Sequence, residues 1–159
     1  MSDQITVGIA DMKLSKAPKG LITYALGSCI GICFYDPVAK IGALLHIMLP
    51  NATARVDNVF KYADTGIVET IAKMEKMGAS RAKITAKIAG GAQMFDILGD
   101  NQLGNIGKRN AEMVKMTLLK QRIPILKSDV GGSHARTMSM ETTTGIAKIR
   151  AYGQPDKEL

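Results

Sequence analysis

Two side chains that can exchange a proton, the thiol of Cys29 and the imidazole of His46, lie on either side of a short turn-like segment. An apolar run over 29–35 leads into the turn residues 36–40, and a second apolar run follows over 41–49. We interpret these segments as a β-hairpin, because apolar runs bounded by turn residues are typical of paired strands. A thiol and an imidazole in one hairpin could perform nucleophilic acyl transfer.

The centre of the turn sets which residues of the two strands face each other. If it lies at the Pro37-Val38 pair, Cys29 is directly opposite His46. Such residues have Cβ atoms roughly 4.5 to 5.5 Å apart on one face of the sheet, close enough for the side chains to share a proton. A register shifted by one residue would move the imidazole to the other face. The sequence therefore predicts a cysteine–histidine dyad whose formation depends on the turn.

Each of these two residues could also have a purely structural role. Cys29 could be a small buried hydrophobic residue, and His46 could be a hydrogen-bonded core histidine. Gly27 and Ser28 favour catalysis, because glycine permits a close backbone approach that leaves amide groups beside the sulfur, where an oxyanion would develop. Cys33 lies in mid-strand and lacks such a context.

Apolar spacing and turn residues predict the other elements. Helical spacing over 62–77, ended by Gly78, predicts one helix, and a second is predicted over 108–121 with Asn105 as a candidate cap. Further strands are predicted near 5–9, 21–26, 82–89, 123–126, 137–140 and 146–151. The irregular order of hairpins and helices favours an α+β fold, with mixed sheets and helices in a layered sandwich, over a doubly wound parallel sheet.

The chain has 159 residues, of which 46% are hydrophobic and 22% charged. This length and composition predict one domain over 1–159, with a frayed tail after about Gly153. No apolar run approaches the roughly 18 residues of a membrane span, and residues 1–10 lack the pattern of a signal peptide. We therefore expect a cytoplasmic protein that does not insert into the membrane.

The formal charge of +7 raises the question of nucleic-acid binding. Lysines and arginines are scattered along the chain, and aromatic residues make up only 4%, so neither a basic block nor a stacking platform is present. Excess positive charge also attracts acidic proteins. The composition favours an acidic protein partner over a nucleic acid.

Neither a metal nor a cofactor is predicted. Cys29 and Cys33, four residues apart on a strand, would be about 13 Å apart, which prevents both a disulfide and convergence on a zinc ion. The Gly90-Gly91 and Gly131-Gly132 pairs lack the neighbouring residues of nucleotide-binding loops, so we interpret them as tight turns.

The sequence resembles the CheD family of bacterial chemotaxis proteins over about Val7 to Tyr152. The resemblance is carried by motifs in the family's order: Leu26-Gly27-Ser28-Cys29, Asp36-Pro37, Leu45-His46-Ile47-Met48-Leu49-Pro50, Lys61-Tyr62-Ala63-Asp64, Lys87-Ile88-Ala89-Gly90-Gly91-Ala92, Asn105-Ile106-Gly107 with Arg109-Asn110, and Asp129 with Gly131-Gly132 and Arg136. A single motif could arise by chance, but the ordered series is specific. One departure is Ala25, where the family is expected to favour glycine.

The resemblance implies a catalytic site with Cys29 as nucleophile, His46 as base and Thr23 as the residue that orients the site. The implied fold is similar to the cysteine deamidase domain of cytotoxic necrotizing factor. The implied activity is deamidation of glutamines on methyl-accepting chemotaxis receptors, with methylesterase activity as a minor function. The alternative is a regulatory module that binds and stimulates the CheY phosphatase CheC.

Overall fold

The elements belong to a computed structural model that describes residues 3–53, 55–93 and 105–159. The strands of the described residues are β1 Gln4–Val7, β2 Asp11–Lys16, β3 Gly20–Leu26, β4 Ile30–Asp36, β5 Ile41–Ile47, β6 Thr85–Gly90, β7 Ile125–Val130, β8 Arg136–Met140, β9 Ala147–Arg150 and β10 Lys157–Glu158. The helices are α1 Ala63–Met77 and α2 Ile106–Lys120.

The strands form two sheets of five. The outer sheet has the order β1-β3-β8-β9-β10, and the central sheet has the order β2-β5-β4-β6-β7. The β1–β3 and β6–β7 pairs are parallel, while the other pairs within the two sheets are antiparallel. The α+β class with mixed, largely antiparallel sheets is confirmed.

The central sheet has an apolar core on each face. One core joins it to the helices, through residues such as Phe34 and Leu45 of the sheet and Ile67 and Val114 of the helices. The other core lies between the sheets and includes Leu44. Every residue of β4 and β5 is buried, as expected for strands with material packed on both sides. The molecule therefore has three layers: outer sheet, central sheet and helices.

The helix α1 follows the sequence pattern closely. Its buried face carries Ile67, Ile71 and Met74, and it ends at Gly78, whose φ of 118° is favourable for glycine. The helix α2 begins two residues before the predicted start, with Asn105 at the N-cap position. None of the helices in the described ranges is long and apolar enough to cross a membrane.

Two strands were missed by the sequence interpretation. β2 is an edge strand of the central sheet in which lysines alternate with apolar residues, a pattern too short and too charged to stand out. The second missed strand, β10, lies in the tail after Gly153, for which the sequence analysis expects fraying. Lys157 and Glu158 pair with β9, and Leu159 packs against the core between the sheets. This pairing shields the edge of β9.

Candidate active site

The hairpin of β4 and β5 forms, but its predicted register is wrong. Asp36 pairs with Ile41 and Gly31 pairs with His46, so the register differs by two residues and Cys29 is not directly opposite the imidazole. A shift of two residues preserves the faces of a strand. Cys29, two residues before Gly31, therefore remains on the side of the sheet that carries His46.

The reason for the shift is the turn. Asp36 Oδ1 accepts hydrogen bonds from the amides of Val38 at 2.9 Å and Ala39 at 3.1 Å, and its Oδ2 accepts from Ser80 N at 2.8 Å. These bonds stabilise a loop of four residues, 37–40, in place of a two-residue turn. Lys40 completes it with a φ of 54°. Burial raises the pKa of Asp36, but the three amides outweigh it and the pKa is lowered.

His46 is fully buried and meets Thr23 of the outer sheet. Its Nδ1 lies 2.8 Å from Thr23 Oγ1, which donates its own proton to the Val7 carbonyl at 2.8 Å. Since the carbonyl can only accept and the hydroxyl has one proton, the Nδ1–H must donate to Thr23 Oγ1. Nε2 is then the unprotonated nitrogen, and it has no hydrogen-bond partner among the described residues.

Burial keeps both candidate catalytic groups neutral. Desolvation lowers the pKa of His46 to about 4. Desolvation also raises the pKa of the Cys29 thiol, although the backbone amide of Cys29 partly opposes this effect. At neutral pH the site therefore holds a thiol and an imidazole with a free lone pair on Nε2, the state in which the histidine can act as a general base.

The segment that carries Cys29 is held against the end of β6 by backbone hydrogen bonds. Gly91 N donates to Cys29 O at 2.9 Å, and Ala92 N donates to Gly27 O at 2.8 Å. At Gly90 the φ is 112°, and a Cβ would lie 2.2 Å from Cys29 O. Gly90 and Gly91 thus allow a close backbone approach to the candidate nucleophile, a role beyond the tight turn inferred from sequence.

Ala25, where the resemblance leads us to expect glycine, has an unusual backbone conformation. Its φ of 60° lies in the left-handed region, where a side chain adds strain and glycine adds little. The residue sits in an irregularity of the β3–β8 pairing between Thr23 and Leu26. The Ala25 side chain is exposed.

Two buried polar residues near the site were named only as family motifs. Asn110 Nδ2 donates to the Ser28 carbonyl at 3.0 Å and to the Met48 carbonyl at 2.9 Å. Its sequence signal was a polar residue on the largely apolar face of α2 that also carries Val114 and Leu118. No local pattern indicates its partners, because they lie 82 and 62 residues away.

Arg136 is the second such residue. Its guanidinium donates to the Gly90 carbonyl at 2.7 Å and to the Gly131 carbonyl, and it forms an ion pair with Asp129 at 3.6 Å. Arg136 belongs to the outer sheet, whereas Gly90 and Asp129 belong to the central sheet. The side chain therefore joins the two sheets beside the segment that contacts Cys29.

The remaining predicted residues have separate positions. Cys33 is buried in the core between the sheets, and burial raises the pKa of its thiol to about 12 despite the opposing charge of Lys87. His134 lies on the surface, with its Nε2 3.1 Å from Gln154 Nε2. Both cysteines are free. Among the described ranges there is no group of three or more His, Cys, Asp or Glu side chains that could hold a metal ion.

Comparison with known proteins gives consistent results. The model of the family described as CheD chemotactic sensory transduction matches residues 48–151. A protein of Desulfitobacterium hafniense (strain DSM 10664 / DCB-2), named "Probable chemoreceptor glutamine deamidase CheD", is 48% identical over 100% of both chains. A protein of Syntrophomonas wolfei with the same name is 46% identical over 99% of both chains.

One solved structure is similar at a lower level. The crystal structure of Bacillus licheniformis hypothetical protein YfiH matches with a TM-score of 0.47 and 15% identity, over 77% of this chain and 51% of that chain. A likeness of this size carries no argument about function. The family model matches more than half of the chain, and the relatives match it over its full length. The chain therefore belongs to the CheD family.

Proposed function

We propose that this protein deamidates glutamine side chains of chemoreceptors, with Cys29 as nucleophile, His46 as general base and acid, and Thr23 as the group that orients the imidazole. The observation that carries the assignment is the Thr23 hydrogen bond, which leaves the unprotonated Nε2 of His46 buried on the face of the sheet that Cys29 shares. The names of the full-length relatives support the substrate.

In the proposed reaction, Nε2 of His46 takes the proton of the Cys29 thiol, and the sulfur attacks the carboxamide carbon of the substrate glutamine. The carbonyl π bond becomes the lone pair of an oxyanion, which the backbone amides of Ser28 and Cys29 stabilise, since the Gly27 amide already donates to the Ala25 carbonyl. The oxyanion collapses, the C–N bond breaks, and the imidazolium donates its proton to the leaving nitrogen, so that ammonia departs and a thioester remains.

Water then completes the cycle. His46 removes a proton from the water as its oxygen attacks the thioester carbon, and the C–S bond breaks to give glutamate and the regenerated thiol. The net reaction is hydrolysis of one carboxamide, which adds one negative charge to the receptor. A glutamyl methyl ester would form the same thioester with loss of methanol, so methylesterase activity is a minor function of the same site.

The proposed substrates are the cytoplasmic helices of methyl-accepting chemotaxis receptors, and the proposed location of the protein is the cytoplasm. The positive formal charge of +7 suits a partner with acidic surfaces. The alternative is a regulatory module that binds and stimulates the phosphatase CheC.

Intact-mass spectrometry and peptide mapping of a receptor cytoplasmic fragment test the proposal. Wild-type protein should add about 1 Da for each converted glutamine, and Cys29→Ala should add nothing, because no thioester can form. Cys33→Ala is the matched control, since it removes a thiol from the same hairpin but from the core between the sheets. It should retain activity.

Two outcomes would contradict the proposal. Deamidation by Cys29→Ala would exclude the covalent mechanism. A folded receptor fragment left unchanged by wild-type protein would favour a binding module, and a complex between purified CheC and either wild type or Cys29→Ala would then support that alternative.

A further inference from the structure

Asn110 bridges the two segments that carry the proposed catalytic pair. Its side chain is fully buried, and its Nδ2 donates to the carbonyls of Ser28 and Met48. Ser28 precedes Cys29, and Met48 follows His46 by two residues. A side-chain amide has two N–H groups, so both are used in the bridge.

The bridge lies where the hairpin ladder ends. The β4–β5 pairing stops at the pair Ile30 and Ile47, so Ser28 and Met48 lie beyond the last pair. The two carbonyls are both acceptors and cannot bond to each other. A donor placed between them links the two segments beyond the end of the ladder, and the amide of Asn110 supplies one N–H to each.

We propose that Asn110 is a positioning residue for the reaction: its two hydrogen bonds hold the thiol of Cys29 within reach of Nε2 of His46. The expected effect on deamidation kinetics rests on the proposed deamidase function. Asn110 does not touch the reacting atoms. It acts by fixing the distance between the segments that carry them.

The support for Asn110 is rigid. Gly107, one turn earlier, is so close to Ala92 O that a Cβ there would lie 2.4 Å from it. Ala92 is also bonded to Gly27, beside the nucleophile. The start of α2 therefore packs against the same strand end that holds the Cys29 segment.

The chemistry of the side chain is specific to this task. An aspartate of the same size would put oxygen against two carbonyl oxygens, and an apolar residue would leave both carbonyls without a donor. Asn110 Oδ1 is itself buried without a hydrogen-bond partner in the described part of the chain. An unpaired buried oxygen lowers the stability of the fold, and such a loss is expected where the donor on the same side chain is required for function.

The test compares Asn110→Ala and Asn110→Ser with Val114→Ala, which removes atoms from the same buried face of α2 one turn away. Deamidation kinetics should show kcat lowered about 10- to 100-fold in Asn110→Ala, with KM changed less than about threefold, because misplacement of the pair affects the chemical step. Asn110→Ser keeps one donor, so its loss should be smaller. Val114→Ala should lower the urea midpoint and leave kcat near wild type.

A second readout needs no receptor. The rate of Cys29 alkylation by iodoacetamide, followed by peptide mapping, is measured at pH 7 and divided by the rate at pH 10. In Asn110→Ala the ratio should fall about tenfold, since the base is no longer positioned to assist loss of the thiol proton. In Val114→Ala it should change less than about twofold.

The outcomes separate the two proposals. A folded Asn110→Ala with wild-type kcat and an unchanged alkylation ratio would overturn the positioning role. If Asn110→Ala does not fold, Asn110→Ser decides, and wild-type values in both assays would overturn the role. If wild-type protein does not deamidate the receptor but the alkylation ratio falls in the Asn110 variants, the proposed function fails while the positioning role stands.

Discussion

At the level of single side chains, the hydroxyl of Thr23 determines which nitrogen of His46 carries the proton. Because the Thr23 proton is committed to the Val7 carbonyl, the hydroxyl can only accept from Nδ1. The other nitrogen is left as the acceptor that a thiol requires. A neutral pair therefore needs no thiolate in the resting enzyme.

The role of this hydroxyl predicts different effects for two substitutions. Thr23→Val should reduce kcat about 10- to 100-fold, because the isosteric side chain cannot accept the Nδ1–H and the imidazole loses its tautomer and orientation. Steady-state deamidation kinetics measure the effect. Thr23→Ser keeps the hydroxyl and should stay within about threefold of wild type. A loss in Thr23→Ser together with a wild-type kcat in Thr23→Val would show that the methyl group, and not the hydroxyl, matters.

Burial of His46 predicts a pH window for stability. The unfolded imidazole has a pKa of 6.5, and the folded one about 4. Between these values the unfolded chain binds a proton that the folded chain does not, so stability falls as the pH drops from 6.5 towards 4, by about 3 kcal/mol in total. Urea unfolding at a series of pH values measures the slope.

His46→Gln is the control for this window. It removes the titrating group, so its stability should change much less between pH 6.5 and pH 4. The pKa of Asp36 is lowered from its ordinary value of 3.8, so the stability that this carboxylate contributes is lost as the pH falls below that value, outside this window. The same slope in the variant and in wild type would contradict the assignment.

At the level of elements, the hairpin could be predicted from its apolar runs, but its register could not. The two strands and the turn between them are local features. The length of the turn depends on hydrogen bonds from Asp36, one of which joins it to Ser80, 44 residues away. The face of His46 was still predicted correctly, because the error of two residues preserves the alternation of the strand.

Gly90 at the end of β6 and Gly131 directly after β7 allow a matched pair of glycine substitutions. Gly131→Ala should cost about 1 to 2 kcal/mol, because its φ of 90° is unfavourable for alanine but no atom of residues 3–53, 55–93 or 105–159 lies within 4 Å of the added Cβ. Gly90→Ala should cost about 2 kcal/mol more and should also slow alkylation of Cys29, because its Cβ would collide with the Cys29 carbonyl. Urea unfolding and alkylation rates measure both effects. Similar behaviour of the two variants would contradict the close approach.

At the level of the whole molecule, the candidate site is assembled from both sheets. Cys29 and His46 come from the hairpin of the central sheet, while Thr23 comes from the outer sheet. Sequence patterns predicted the α+β class and both helices because these follow from local spacing. They could not place Thr23, Asn110 or Arg136, because packing between layers brings together residues that are far apart in the chain.

The connection between the sheets predicts an effect for Arg136. Arg136→Met keeps much of the alkyl chain but removes the hydrogen bonds to Gly90 and Gly131 and the ion pair with Asp129, so it should lower the free energy of unfolding by about 3 kcal/mol. Chemical denaturation measures the loss. Arg150→Met is the control, since Arg150 forms an exposed ion pair with Asp156 at 3.3 Å. It should change stability by no more than about 0.5 kcal/mol.

The half-buried thiol of Cys29 also has a consequence for the choice of substrate. If Cys29 is the nucleophile, the carboxamide of a substrate protein must reach a sulfur that is only partly exposed. Glutamine carries this group one methylene farther from its backbone than asparagine does. We therefore expect a partly buried thiol to favour glutamine over asparagine, because the longer side chain carries its carboxamide farther from the backbone.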